Sequence, residues 1–91
     1  SRLKVLAKKL NISSIIQQGD MFICKFARDD SKTLEMLARF SAAFQKQITI
    51  MGTSTPAFTL KTRGLKGYRL LTRLEKILGE MESMQETYSV V

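Results

Sequence analysis

The chain contains no histidine and only one cysteine, Cys24. Zinc sites of the usual tetrahedral nitrogen/sulfur kind, and Ser-His or Cys-His nucleophilic systems, therefore cannot be assembled from its own residues. A lone cysteine makes no internal disulfide, whereas small secreted domains of this size are usually stapled by several, so a reducing, cytoplasmic setting is expected. Long apolar runs are also missing: Met21-Phe22-Ile23-Cys24 falls far short of the roughly 18 to 20 residues that span a bilayer, and no signal peptide opens the chain. Neither a G-x-x-x-x-G-K-[ST] loop nor a G-x-G-x-x-G turn occurs. Gly64-Leu65-Lys66-Gly67 shares with a phosphate cradle only its glycines and a lysine, and Gly67 is better read as admitting the chain to the last helix.

The remaining chemistry-bearing residues have structural explanations. Asp29-Asp30 stand where a helix begins, so capping accounts for them before acid-base work does. Cys24 lies in a hydrophobic strand with no basic neighbour at i±2, the setting of a small core residue rather than a reactive thiol. No catalytic residue, metal ligand or cofactor site is expected in this chain.

What the sequence does hold is enough for one folded domain. Of its 91 residues, 44% are hydrophobic and 25% charged, which sets it apart from disordered chains. Fifteen Lys and Arg against eight Asp and Glu give a net charge of +7, which raises nucleic acid, anionic membrane or an acidic protein as partner classes. The charge is uneven. The segment from Lys61 to Lys76 carries six basic residues and one acid, Glu75, whereas Gly79 to Val91 carries three acids and no base.

Periodicity places the elements. Leu3, Leu6, Ala7 and Leu10 recur at i, i+3, i+4 and i+7, which predicts a helix over about Arg2 to Leu10. Its abrupt, uncapped start leads to the expectation of a fragment cut from a longer chain, with its N-terminal segment missing. Ile12 to Gln18 and Met21 to Ala27, separated by Gly19-Asp20, read as a β-hairpin. In its second strand Phe22, Cys24 and Phe26 share one face, expected to be core. Met21, Ile23 and Lys25 share the other, expected to be half covered.

After the Asp29-Asp30-Ser31 cap cluster, Leu34, Leu37, Ala38, Ser41 and Phe44 trace a second helix over about Lys32 to Gln45. Gln47 to Met51 and Ala57 to Thr62 read as a second strand pair, with Ile48 and Ile50, and Phe58 and Leu60, each on one side. Leu70, Leu74, Ile77, Leu78 and Met81 mark the last helix, from Tyr68 to about Met84. The expected fold is α+β, in the order helix-hairpin-helix-hairpin-helix, with a four-stranded, mainly antiparallel sheet packed with three helices. Residues 1–84 form the domain and residues 85–91 a flexible tail.

Folding explains least about the charge order on the last helix. Arg69 and Arg73 stand near its start and Glu80 and Glu82 near its end, against the preference of the helix macrodipole. Arg69, Arg73, Lys76 and Glu80, at spacings of four, three and four, line one exposed face as a ridge graded from basic to acidic. Three readings stay open: an ordinary solvated face, a docking face for protein, or part of a nucleic-acid surface. In the last, Tyr68 and Phe58 would stack near Lys61, Arg63 and Lys66, though no DNA or RNA fingerprint accompanies them. Membrane binding is disfavoured because the apolar stripe of this helix is needed for the core.

Leu3 to Ala27 resembles the C-terminal domain of the bacterial transcription-repair coupling factor. In that family a helix of the form R-L-[KR]-x-x-A-x-K-L-G-I precedes a hairpin, a helix, a second strand pair and a closing amphipathic helix. Arg2-Leu3-Lys4, Ala7, Lys9-Leu10 and Ile12 match; Asn11 stands where the family has Gly, and Asn tolerates the left-handed conformation a helix end needs. The specific matches lie in the first third of the chain, and the element order extends over nearly all of it. The resemblance implies a parent that is an ATP-dependent DNA translocase, with ATP and Mg bound outside this fragment. That parent acts on stalled RNA polymerase and recruits the excision-repair protein UvrA. The terminal domain of such a parent is regulatory: it packs against the UvrA-binding module of its own chain and masks it, without catalysis.

Overall fold

The computed structural model describes residues 2–51, 55–61, 64 and 67–89. It is an α+β fold of three helices and four strands, in the order α1 (Arg2–Lys9), β1 (Ile12–Gln18), β2 (Met21–Phe26), α2 (Ser31–Ala43), β3 (Ile48–Met51), β4 (Ala57–Lys61) and α3 (Tyr68–Ser89). The strands form one sheet in the order β1-β2-β4-β3, and every neighbouring pair is antiparallel. The central seam joins β2 to β4, with Cys24 opposite Phe58 and Phe22 opposite Leu60.

Local chemistry accounts for the junctions. Asn11 adopts φ +59° at the end of α1, the left-handed position that Asn accepts better than most residues. Its carbonyl accepts the Ala27 N–H at 2.8 Å, tying the end of α1 to the end of β2. Between β1 and β2, Gln18 faces Met21 and Gly19 alone of the two turn residues has positive φ, at +65°. That is the pattern of a type II′ turn, whose twist matches that of the strands. The β1–β2 register shifts between Ile12 and Ser14, a bulge on an edge strand. At the start of α3 the Gly67 carbonyl, on a residue with φ +60°, accepts the Leu70 and Leu71 N–H groups at 3.1 and 3.4 Å.

The helices cover one face of the sheet. Its core joins Leu6 and Leu10 of the α1 region, Phe22, Cys24 and Phe26 of β2, and Phe58 and Leu60 of β4 with Leu37 and Phe40 of α2. The α3 stripe read from the sequence, Leu70, Leu74, Ile77, Leu78 and Met81, is buried throughout.

The α2 stripe keeps only Leu37 and Phe44 of its expected members and is otherwise turned back by one position along the helix. Thr33, Met36, Leu37, Phe40 and Phe44 are buried, while Leu34 is 54% exposed and Ala38 is also exposed. The larger Met36 and Phe40 remove more apolar area from water than Ala38 and Ser41. Thr33 is meanwhile held inward by Asp30, which accepts its N–H at 3.0 Å and its hydroxyl at 2.9 Å. Helix α3 also continues past Met84 to Ser89, since no Gly or Pro interrupts residues 85–89. Thr62, expected to end β4, lies outside the described residues.

Candidate docking surfaces

Helix α3 is two-sided. Five large apolar side chains bury one face, and Arg69, Arg73, Lys76 and Glu80 are all exposed. At 100° per residue these four cluster within a narrow arc, so the structure brings together all the residues that the sequence spacing grouped. The first turn of α3 holds no acid and its last turn no base, the reverse of what the macrodipole favours. Nearer the C-terminus, Glu82 shares a hydrogen bond with Glu86, which holds the Glu82 carboxyl above the usual carboxylate range, and burial adds to the rise. The Lys9 charge beside it acts in the opposite direction.

The aromatic pair considered for base stacking is separated by the fold. Tyr68 is 83% exposed, but Phe58 is wholly buried and packs on Phe26 with ring centroids 5.9 Å apart. Phe58 faces the helices, whereas the alternation along β4 turns Lys61 to the other side of the sheet. Phe58 is therefore a core residue and is not available to a nucleic acid; Arg63 and Lys66 lie outside the described residues.

Cys24 occupies the core side of β2 with no exposure, and desolvation pushes its thiol up to about 12. A thiol so far from ionisation is a poor nucleophile at neutral pH. Among the described residues no group of three or more Cys, Asp or Glu is placed to hold a metal ion. Nor is any helix among them long and apolar enough to cross a membrane.

The second face of β2 is half covered as its alternation predicts, with Met21 and Ile23 partly buried and Lys25 exposed, but its joining with other strands into one surface is not readable from the sequence. Antiparallel sheets with one covered face usually turn polar residues outward. Here Ile16, Met21, Ile23 and Met51 point outward and are only partly covered by their neighbours, Ile16 remaining 42% exposed. An open groove of about 510 Å³ runs across this face, lined by Ile16, Ile23, Met51 and Ala57 together with Lys25 and Thr55. The signal was present in β2, which is apolar on both faces, but the groove needs the β2–β4 register to assemble.

No family model, curated protein or solved structure matches this chain. The reading of its function accordingly rests on its own surfaces and on the motif at its start.

Proposed function

We propose that this chain is a non-catalytic regulatory domain that docks on another part of its parent protein, in the manner of the C-terminal domain of a transcription-repair coupling factor. The observation that carries the reading is the ridge of α3: four charged side chains exposed along one face and graded from basic to acidic, with Arg69 in the first turn where the helix macrodipole disfavours a cation. The match of Arg2-Leu3-Lys4, Ala7, Lys9-Leu10 and Ile12 to the family motif supports the choice of parent. In this reading the partner is the UvrA-binding module of the same chain, the parent is a cytoplasmic ATP-dependent DNA translocase acting on stalled RNA polymerase, and ATP and Mg bind outside this fragment. A polar, partly charged contact suits a mask that must release, since interdomain interfaces of this kind are modest in area and reversible.

The test is charge reversal in the parent. Arg69→Glu, Arg73→Glu and Lys76→Glu together unmask the module and raise affinity for UvrA; unchanged affinity removes the ridge from the account. The rival reading, a small basic nucleic-acid-binding module, has Tyr68 exposed in its favour and Phe58 buried against it. It requires salt-sensitive binding of oligonucleotides by the isolated chain, and a flat titration at low salt eliminates it.

A further inference from the structure

The outward face of the sheet is organised in three rows by its register. Gln18, Met21 and Lys61 form the first; Ile16, Ile23, Thr59 and Thr49 the second; Ser14, Lys25, Ala57 and Met51 the third. Its apolar members do not fill a row. They run as a diagonal band from Ile16 and Met21 through Ile23 to Ala57 and Met51. Ala57 and Thr59 are buried beneath their larger neighbours, and the Thr59 hydroxyl, donating to the Thr49 carbonyl at 3.3 Å, spends its polarity inside the sheet.

The two lysines stand on opposite sides of this band. Lys25 occupies the third row on β2 and Lys61 the first row on β4, and both are exposed. Four residues along a strand and one strand across separate their backbones by roughly 14 Å. A helix with its side chains is about 10 to 12 Å wide, so the lysines straddle the track that one helix would follow along the diagonal. None of the positions that the register turns to this face is acidic.

We infer that the outward sheet face is a docking site for an amphipathic helix of a protein partner, with its apolar stripe on the Ile16–Ile23–Met51 band and carboxylates on both flanks meeting Lys25 and Lys61. Charge complementarity selects this occupant. A second copy of the chain would bring four lysines and no acid into one interface between molecules each carrying +7. Among the described residues that the register turns to this face, a nucleic acid would find two cations, Lys25 and Lys61, and no aromatic ring on which to stack a base. The inference goes beyond the α3 ridge and uses the side of the sheet away from the helices, so the two surfaces can fail separately.

Two designed helical peptides of about five turns test it against the isotope-labelled 91-residue chain by NMR titration. Both carry the same Leu stripe; one has Glu on both flanks and the other Lys. The Glu-flanked peptide is expected to shift the Ile16, Ile23, Met51 and Ala57 resonances and to bind in preference to the Lys-flanked one. Lys25→Glu with Lys61→Glu, both at exposed positions, should weaken it by about tenfold or more through replacement of attraction by repulsion, with the spectrum of the free protein retained. The Arg69→Glu, Arg73→Glu, Lys76→Glu variant should bind as the parent chain does. Shifts confined to α3, equal binding of the two peptides, no binding, or displacement of the Glu-flanked peptide by an oligonucleotide each overturn the assignment. None of those results alters the test of the ridge.

Discussion

Phe26 and Phe58 meet across the β2–β4 seam with ring centroids 5.9 Å apart and planes inclined at 46°, and neither retains more than 2% of its surface exposed. The contact joins strands from the two halves of the chain. Phe58→Ala should remove about 3 to 5 kcal/mol, a large share of the roughly 5 to 15 kcal/mol that holds a domain folded. Urea denaturation would show a collapse of the transition midpoint, with Phe58→Leu retaining most of it. An unmoved midpoint in Phe58→Ala would mean that the seam is not where the core is secured.

Asp30 caps α2, and the hydrogen bond from the Thr33 backbone N–H, followed by that from the Thr33 hydroxyl, lowers its carboxyl from the ordinary value. A carboxylate depressed by folding contributes stability that is complete above its unfolded pKa, about 3.9, and is lost as pH falls through the folded value. Asn caps a helix as well as Asp does but does not titrate. Asp30→Asn should therefore match the parent chain at neutral pH and lose less stability as pH falls below about 4, whereas Asp30→Ala is less stable at neutral pH. Thermal melts across that fall in pH check the difference.

Gly79 lies inside α3, and a Cβ there would sit 3.7 Å from an Arg2 guanidinium nitrogen, an ordinary contact. Its φ is not among the positive ones. Gly79→Ala should stabilise the protein by about 0.5 to 1 kcal/mol through the reduced entropy of the unfolded chain and the better helix propensity of Ala. Differential scanning calorimetry should record a rise of a few degrees in Tm; a fall would indicate that α1 and α3 pack more closely than 3.7 Å allows.

Cys24 should be inert to thiol reagents in the native protein and react fully in denaturant. Its thiol, raised to about 12 by burial, favours the folded state only while protonated. That contribution is present below the unfolded pKa, about 8.5, and disappears as pH rises through the folded value. The stability difference between the parent chain and Cys24→Ala should thus narrow from about pH 8.5 to pH 12, which chemical denaturation at stepped pH can follow. Rapid native-state labelling would place the thiol outside the core.

Much of this architecture was legible because single segments carried it. Leu70 to Met81 repeats over three turns with few competing apolar residues, so its buried face was unambiguous. Gly19 and Asn11 announced a turn and a helix end through backbone chemistry alone. In α2, by contrast, apolar residues lie on two overlapping stripes, and the choice between Leu34 and Met36 falls to the sheet beneath them. The charged ridge could be found by counting, since Arg69, Arg73, Lys76 and Glu80 share one helix. The outward groove could not. Ile23 and Ala57 meet it from strands separated by an entire helix and another strand, and no local pattern encodes their register. Phe58 was open to misreading for the same reason: an aromatic near basic residues in sequence is turned away from them by the strand's alternation.

The strand order also has a bearing on biosynthesis. Because β2 lies beside β4 and not β3, the ribosome releases half of the central pair well before the other half exists. Until Ala57–Lys61 has emerged, one edge of Met21–Phe26 is left with open amide and carbonyl groups and a greasy side awaiting its cover. Such an edge invites pairing with other nascent chains.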